Sequence, residues 1–320
     1  MTKRRFIINM VVIVVLAVVS GYFIGSYIAG SRLIALTNSY NELALRDMDD
    51  DSIIPNYFSE LPSTYLNKIQ SVVSGKTPNQ VSAIYAFMMA EYNTNTSGNV
   101  YKEITGSIAA KSMGINVNQS ILAHKQKKDG MIYIDKISYS SMAKVAFKAE
   151  HNIGEDTYIY YPGTANDESS ATWGSAEVRA LSGYRDVYGN GVDYMCNYIV
   201  TPKTVQTTGA SQVKQKKVSE RNDYYLDGET YYEVNVGLDI RIDEATGDFV
   251  YGGVSNYMYE IKSTASANDF PVFSYCNLHV VVDSHYRLVE INIEENYQII
   301  AYGFNANTTV KQTEMFSYVK

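Results

Sequence analysis

An α+β fold behind a membrane anchor is what the sequence predicts, and three observations carry that expectation. Phe6–Ala29 is a long apolar run behind Lys3, Arg4 and Arg5, with no charged residue from Phe6 through Ser31. Residues 30–93 keep a helical period. From Val100 onward the apolar period changes to two, the period of strands. Together they divide the chain into a cytoplasmic tip (1–5), a transmembrane signal anchor (6–29), a stalk (30–55) and an extracytoplasmic α+β domain (56–320).

The anchor comes first. At about 1.5 Å rise per residue it spans roughly 36 Å, enough to cross a hydrocarbon core of about 30 Å with some tilt. Basic residues precede it, and the acidic stretch Asp47, Asp49, Asp50, Asp51 follows. The positive-inside bias therefore places the N-terminus in the cytoplasm and the rest outside. The apolar stretch exceeds the usual signal-peptide core, so an uncleaved single-pass anchor is expected. Small residues before Ser31 leave cleavage there, and hence secretion, as the alternative. Ala17, Gly21, Gly25 and Ala29 lie four apart on one helical face. That spacing suits close helix packing in lipid and would give a route to homo-oligomers.

Composition narrows the function classes. Net charge is −7, and removing Lys3, Arg4 and Arg5 takes the exported part to −10. Nucleic acid is excluded as a partner, since phosphate binding needs clustered basic residues. Tyrosine is abundant, with 29 copies against 10 Phe and 1 Trp, and suits half-buried sheet. Cys196 and Cys276, exported and each in a strand-like run, either form a disulfide or stay as two buried thiols. A bridge would close a loop worth about 4.5 kcal/mol in the chain-entropy picture.

Ser31–Arg46 continues the anchor as a stalk helix, ended by the Asp47–Asp51 cluster and Pro55. Tyr57–Val73 is a second helix. Thr77-Pro78 opens a third, with Val81, Ile84, Tyr85, Met88 and Met89 on one face, running to about Tyr92. Strands are expected over Val100–Ala110, Ile115–Lys127, Met131–Ser140, Ala143–His151 and Thr157–Tyr161. Their turns fall at Met113-Gly114, Lys128-Asp129-Gly130, Ser140-Ser141 and Pro162-Gly163. Asn166–Ser182 reads as irregular with some helix. Asp193–Val200 and Gln212–Val218 read as strands, Tyr224–Ile242 as a hairpin turning at Asp227-Gly228, and the segment after Asp243 as a helix reaching Ile261. A closing four-strand meander runs through Val272–Asp283, Tyr286–Glu294, Tyr297–Asn305 and Thr308–Tyr318.

This order of helices, consecutive antiparallel strands, a helix and a closing meander is similar to the lipoprotein-carrier superfamily, the LolA/LppX-like half-barrels. The residues that carry the resemblance are Leu278-His-Val-Val-Val-Asp283, Arg287-Leu-Val-Glu290 and Tyr297-Gln-Ile-Ile300, and it covers roughly residues 78–320. The resemblance implies a curved, unclosed antiparallel sheet packed on helices, holding an apolar or lipid-like ligand.

Catalytic signatures are weak. Ser141-Met-Ala-Lys144, Ser211–Lys214 and Ser317–Lys320 all fit S-x-x-K, and three matches in one chain show how cheap the pattern is. His279 and His285 flank Asp283 but do not offer three converging metal ligands. Asp47, Asp49 and Asp51 alternate as in a calcium loop, without its Gly and bidentate Glu. Lys125-Gln-Lys-Lys128 and Lys214-Gln-Lys-Lys217 read as edge-protecting basic patches. The expectation is a non-enzymatic, membrane-anchored binding protein of the cell envelope, with no metal, no cofactor and no catalytic residue. It would hold a lipid-like ligand or an envelope partner. The alternatives are a structural subunit assembling through its transmembrane helix, and an envelope hydrolase.

Overall fold

The computed structural model describes residues 86–87, 90–91, 93–140, 144–167, 170–183, 192, 194–196, 213–216, 223–226, 229–238, 261–262, 267, 269–301 and 304–318. The anchor, its packing face Ala17, Gly21, Gly25, Ala29, the stalk and the acidic cluster lie outside them. Among the described residues, no helix is long and apolar enough to cross a membrane.

Twelve strands form one antiparallel sheet, open and curved. They are β1 Val100–Ser112, β2 Ile115–Lys128, β3 Met131–Tyr139, β4 Lys144–Asn152, β5 Thr157–Thr164, β6 Thr172–Trp173, β7 Glu177–Ala180, β8 Val213–Lys216, β9 Tyr231–Gly237, β10 Val272–Asp283, β11 Leu288–Ala301 and β12 Phe304–Ser317. The order is β6-β5-β4-β3-β2-β1-β12-β11-β10-β9-β8, with β7 also on β5. Two meanders are thus joined where the first long strand pairs the last, from Tyr101 opposite Ser317 to Lys111 opposite Asn307.

Turn chemistry sets the first meander. Met113 and Gly114 have φ of 48° and 81°, and Asp129 and Gly130 have 52° and 79°. Positive φ at both central residues makes two-residue hairpin turns whose twist matches the strands they join. Both were expected. Gly130 and Gly114 accept this backbone without strain because they lack a Cβ.

Side chains alternate between the two faces of the sheet. The core face carries Leu278, Val280 and Val282 of β10, Val234 and Val236 of β9, Ile291 and Ile293 of β11 and Phe316 of β12, all buried. Helical Ala86, Phe87 and Ala90 pack into the same cluster. On β3–β5 the same face buries Ile132, Ile134, Phe147, Ala149, Tyr158 and Tyr160. Each large side chain so buried contributes about 2 kcal/mol against exposure. One ion pair sits within this face: Lys102 Nζ lies 2.5 Å from Glu314, and both side chains are almost fully covered.

Several expectations need correction. One strand, β11, takes the place of the expected Tyr286–Glu294 and Tyr297–Asn305, and Asn305 belongs to β12, so the closing meander has three strands rather than four. Burial alternates without a break from Ile291 to Ile299 because Glu295 takes a core position, where the Cys276 thiol donates to it at 3.7 Å. Pro162-Gly163 does not end β5, which runs on to Thr164. Gly163 lets Trp173 lie against the strand: a Cβ there would sit 2.7 Å from the ring. Residues 194–196 are not strand, and neither are 224–226, so the expected first hairpin arm is absent there. The irregular Asn166–Ser182 stretch contains β6 and β7. The helix expected to stop at Tyr92 includes residues 93–96. Cys196 and Cys276 are both buried, and no disulfide joins them among the described residues.

Candidate functional site

The face opposite the main core cluster is polar over the middle of the joined strands, with a smaller apolar cluster of Tyr225, Tyr231 and Val281 beside it. Register places Thr105 (β1), Thr313 (β12), Asn292 (β11), His279 (β10) and Asn235 (β9) in one row. Two residues along each strand, Ser107, Lys311, Glu294, Asn277 and Gly237 form the next. Between them run Gly106, Gln312, Ile293, Leu278 and Val236, whose side chains turn to the other face. A trough of about 820 Å³ is lined by these three rows. Leu278, Val236 and Ile293 are only 2–3% exposed, whereas the flanking polar residues are exposed or half-exposed, so the trough opens on the polar face.

Its centre is organised by internal bonds. Thr313 Oγ1 donates to Asn292 Oδ1 at 2.7 Å, and Asn292 Nδ2 donates to Glu290 Oε1 at 2.5 Å. Lys311 Nζ and Glu294 Oε1 are 2.6 Å apart and neutralise each other. That exposed contact, with the hydrogen bond first and the charge second, holds the Lys311 ammonium above its ordinary pKa. His279 Nε2 stands 3.8 Å from Glu233. At the trough's flanks, among the described residues, the hydroxyls of Thr105 and Ser107 and the amides of Asn235 and Asn277 make no side-chain bond to protein.

A second polar group lies along the same face. His124 of β2 stands between Asp135 of β3, 2.8 Å from Nδ1, and Glu103 of β1, 3.9 Å from Nε2. The Tyr224 hydroxyl donates to Glu103 at 3.1 Å, and Tyr225 donates to Glu290. Burial, then the charge and hydrogen bond of Glu103, push the Tyr224 phenol far above its usual range. Burial, then its bond to Glu290, does the same for Tyr225.

On the core face, residues 194–196 form a strap tied to the sheet. Asn95 Oδ1 accepts the backbone N–H groups of Met195 and Cys196 at 2.7 and 2.9 Å. Lys102 Nζ donates to Met195 O at 2.9 Å, Lys125 Nζ to Tyr194 O at 2.5 Å and Lys127 Nζ to Asn95 O at 3.0 Å. The patch Lys125–Lys128 therefore does not protect an edge: β2 is an interior strand between β1 and β3. The patch at Lys214 does fall on an edge strand, β8.

The weak catalytic patterns do not assemble a site. Ser317 is buried within β12, not at a helix start, and Lys144 Nζ is held 2.5 Å from Asn166 Oδ1. Ser141 and Ser211 lie outside the described residues. Asp283 serves its turn: Oδ1 accepts the N–H of His285 and of Arg287, and Oδ2 takes the Arg287 guanidinium at 2.7 Å. Among the described residues, no group of three or more His, Cys, Asp or Glu side chains can hold a metal ion. The trough itself escaped the sequence reading, because it depends on β1 meeting β12.

No protein family matches the sequence, and no curated protein does. Among solved structures, the fold is similar to a DUF1329 family protein from Desulfovibrio piger, at 12% identity over 75% of this chain and 94% of that one, with a TM-score of 0.26. It is also similar to a domain named for outer membrane lipoprotein sorting from Vibrio parahaemolyticus, at 10% identity over 69% and 86%, with a TM-score of 0.22. The neighbours thus include the kind of domain that the strand order resembles. At these TM-scores the overlap carries no functional argument, and function must be argued from the sheet's own geometry.

Proposed function

We propose that this chain is a membrane-tethered, extracytoplasmic binding protein, non-enzymatic, with the polar trough as its ligand site. One observation carries the reading: a trough of about 820 Å³ crosses five neighbouring strands, within the volume range of small-molecule sites. Its polar lining is hydroxyl, amide, the His279 imidazole and one neutralised ion pair. The apolar side chains of the same strands, Leu278, Ile293 and Val236, are committed to the core. The site therefore suits a polar ligand, or the polar head of an amphiphile, better than the acyl chain expected from the family resemblance. The tether is Phe6–Ala29, which keeps the trough outside the cytoplasm and near the membrane surface.

Native mass spectrometry of the full chain, extracted in mild detergent, tests both parts at once. The expected spectrum shows an intact mass that retains residues 6–29 and carries a stoichiometric passenger. That passenger should vanish when Asn277→Trp and Thr313→Trp fill the trough. A mature N-terminus near Ser31 would remove the tether. A chain with no passenger, or an acyl lipid that survives both substitutions, would remove the trough as the ligand site.

A further inference from the structure

Resting on that reading of the trough, we infer that its ligand is a neutral linear oligosaccharide lying across the strands. The shape comes first. The row Thr105–Thr313–Asn292–His279–Asn235 crosses four strand spacings of about 4.8 Å, roughly 19 Å in all, and the second row runs beside it about 7 Å away. This is a long, shallow, open strip, which suits an extended chain lying flat. The chemistry comes second. Side-chain amides offer a donor and an acceptor together, and hydroxyls serve as either, so both rows match a ligand dense in vicinal hydroxyls. Four of these groups, on Thr105, Ser107, Asn235 and Asn277, have no protein partner among the described residues.

Charge discriminates further. The one lysine in the strip is neutralised by Glu294 at 2.6 Å and His279 stands 3.8 Å from Glu233, so a polyanion finds no unpaired cation there among the described residues. A strand-like peptide binds by adding to a sheet edge. The strip crosses interior strands whose backbone groups are already paired to their neighbours. An acyl chain would lie on Asn, Thr and Ser side chains and cover their polar groups without a partner, which is costly.

Isothermal titration of the folded full chain in detergent with chitohexaose and with maltohexaose is the test, with phosphatidylglycerol vesicles as the lipid arm. Saturable binding to at least one oligosaccharide is expected. Asn277→Ala, Asn235→Ala and Ser107→Ala should each weaken it about fivefold, the scale of one lost hydrogen bond. Asn118→Ala, on the same face of β2 but outside the trough, should leave it unchanged. No saturable binding to either sugar, binding indifferent to all three substitutions, or binding to vesicles alone would overturn the assignment. If the sugars fail while a passenger is still lost from the trough-filled variant, only the ligand class is wrong. If that passenger is absent too, the binding reading falls with it.

Discussion

At the scale of single residues, burial has tuned several side chains into fixed protonation states. Tyr225 and Tyr224 donate to Glu290 and Glu103, and Tyr318 lies half-buried with its hydroxyl donating to Leu288 O at 2.9 Å. Desolvation is the first cause in all three, and each phenol is raised above its ordinary value of 10.0. Below that pH both the folded and unfolded chains hold the phenols neutral, so the three bonds count in full. As pH climbs past it, the unfolded chain ionises first and stability falls. Thermal melts from pH 8 to 11 should therefore show a decline that starts near pH 10 and is shallower in Tyr225→Phe. A flat profile would contradict the buried donors. Cys276 follows the same physics: burial, then the charge of Glu295, raises its thiol well above the ordinary range. The residue scale is also where sequence and structure agree least. Glu295 looks like a break in a strand, yet it sits in the core beside Cys276. A hydrophobicity pattern cannot show a polar residue whose partner comes from another strand.

At the scale of elements, hairpin register was legible and strand closure was not. The turns at Met113-Gly114 and Asp129-Gly130 could be read from the sequence. Counting back from them puts Glu103 opposite His124 and His124 opposite Asp135, as the structure has it. That polar group is therefore within reach of the sequence, but only by counting register across two turns, because Glu103, His124 and Asp135 share no local motif. No turn links β1 to β12, so the row Thr105–Thr313–Asn292 had no local signal. Gly106 is critical at this junction. A Cβ there would sit 2.8 Å from Lys311 O, a backbone atom that cannot swing away. Gly106→Val should cost about 1–3 kcal/mol by forcing the strands apart. In urea titrations the midpoint should fall. Amide exchange should rise first in β1 and β12, rather than in β3 and β4. Uniform loss, or none, would show that the seam tolerates the side chain.

At the scale of the whole molecule, the sheet separates two tasks. One face is filled by the core clusters, with the 194–196 strap tied down by Asn95, Lys102 and Lys125. The other face presents the trough beside a smaller buried cluster of Tyr225, Tyr231 and Val281. The antiparallel, open sheet expected from strand order is present, and the trough found among the described residues opens on its polar face. The physical reason is that β10 and β11 alternate across the trough, with Leu278 and Ile293 on one face and Asn277, His279, Asn292 and Glu294 on the other, before Val280, Val281 and Val282 all become buried at a register shift. The first strand must find the last across more than two hundred residues, so folding should be slow and the seam should form late. The most direct measurement of trough occupancy is photo-crosslinking in cells. A benzophenone side chain is placed at Asn277, inside the trough, or at Asn118, outside it on the same face. The expected result is one discrete adduct mass at Asn277 and none at Asn118. No adduct at Asn277, or the same adducts at both positions, would contradict the trough as the ligand site.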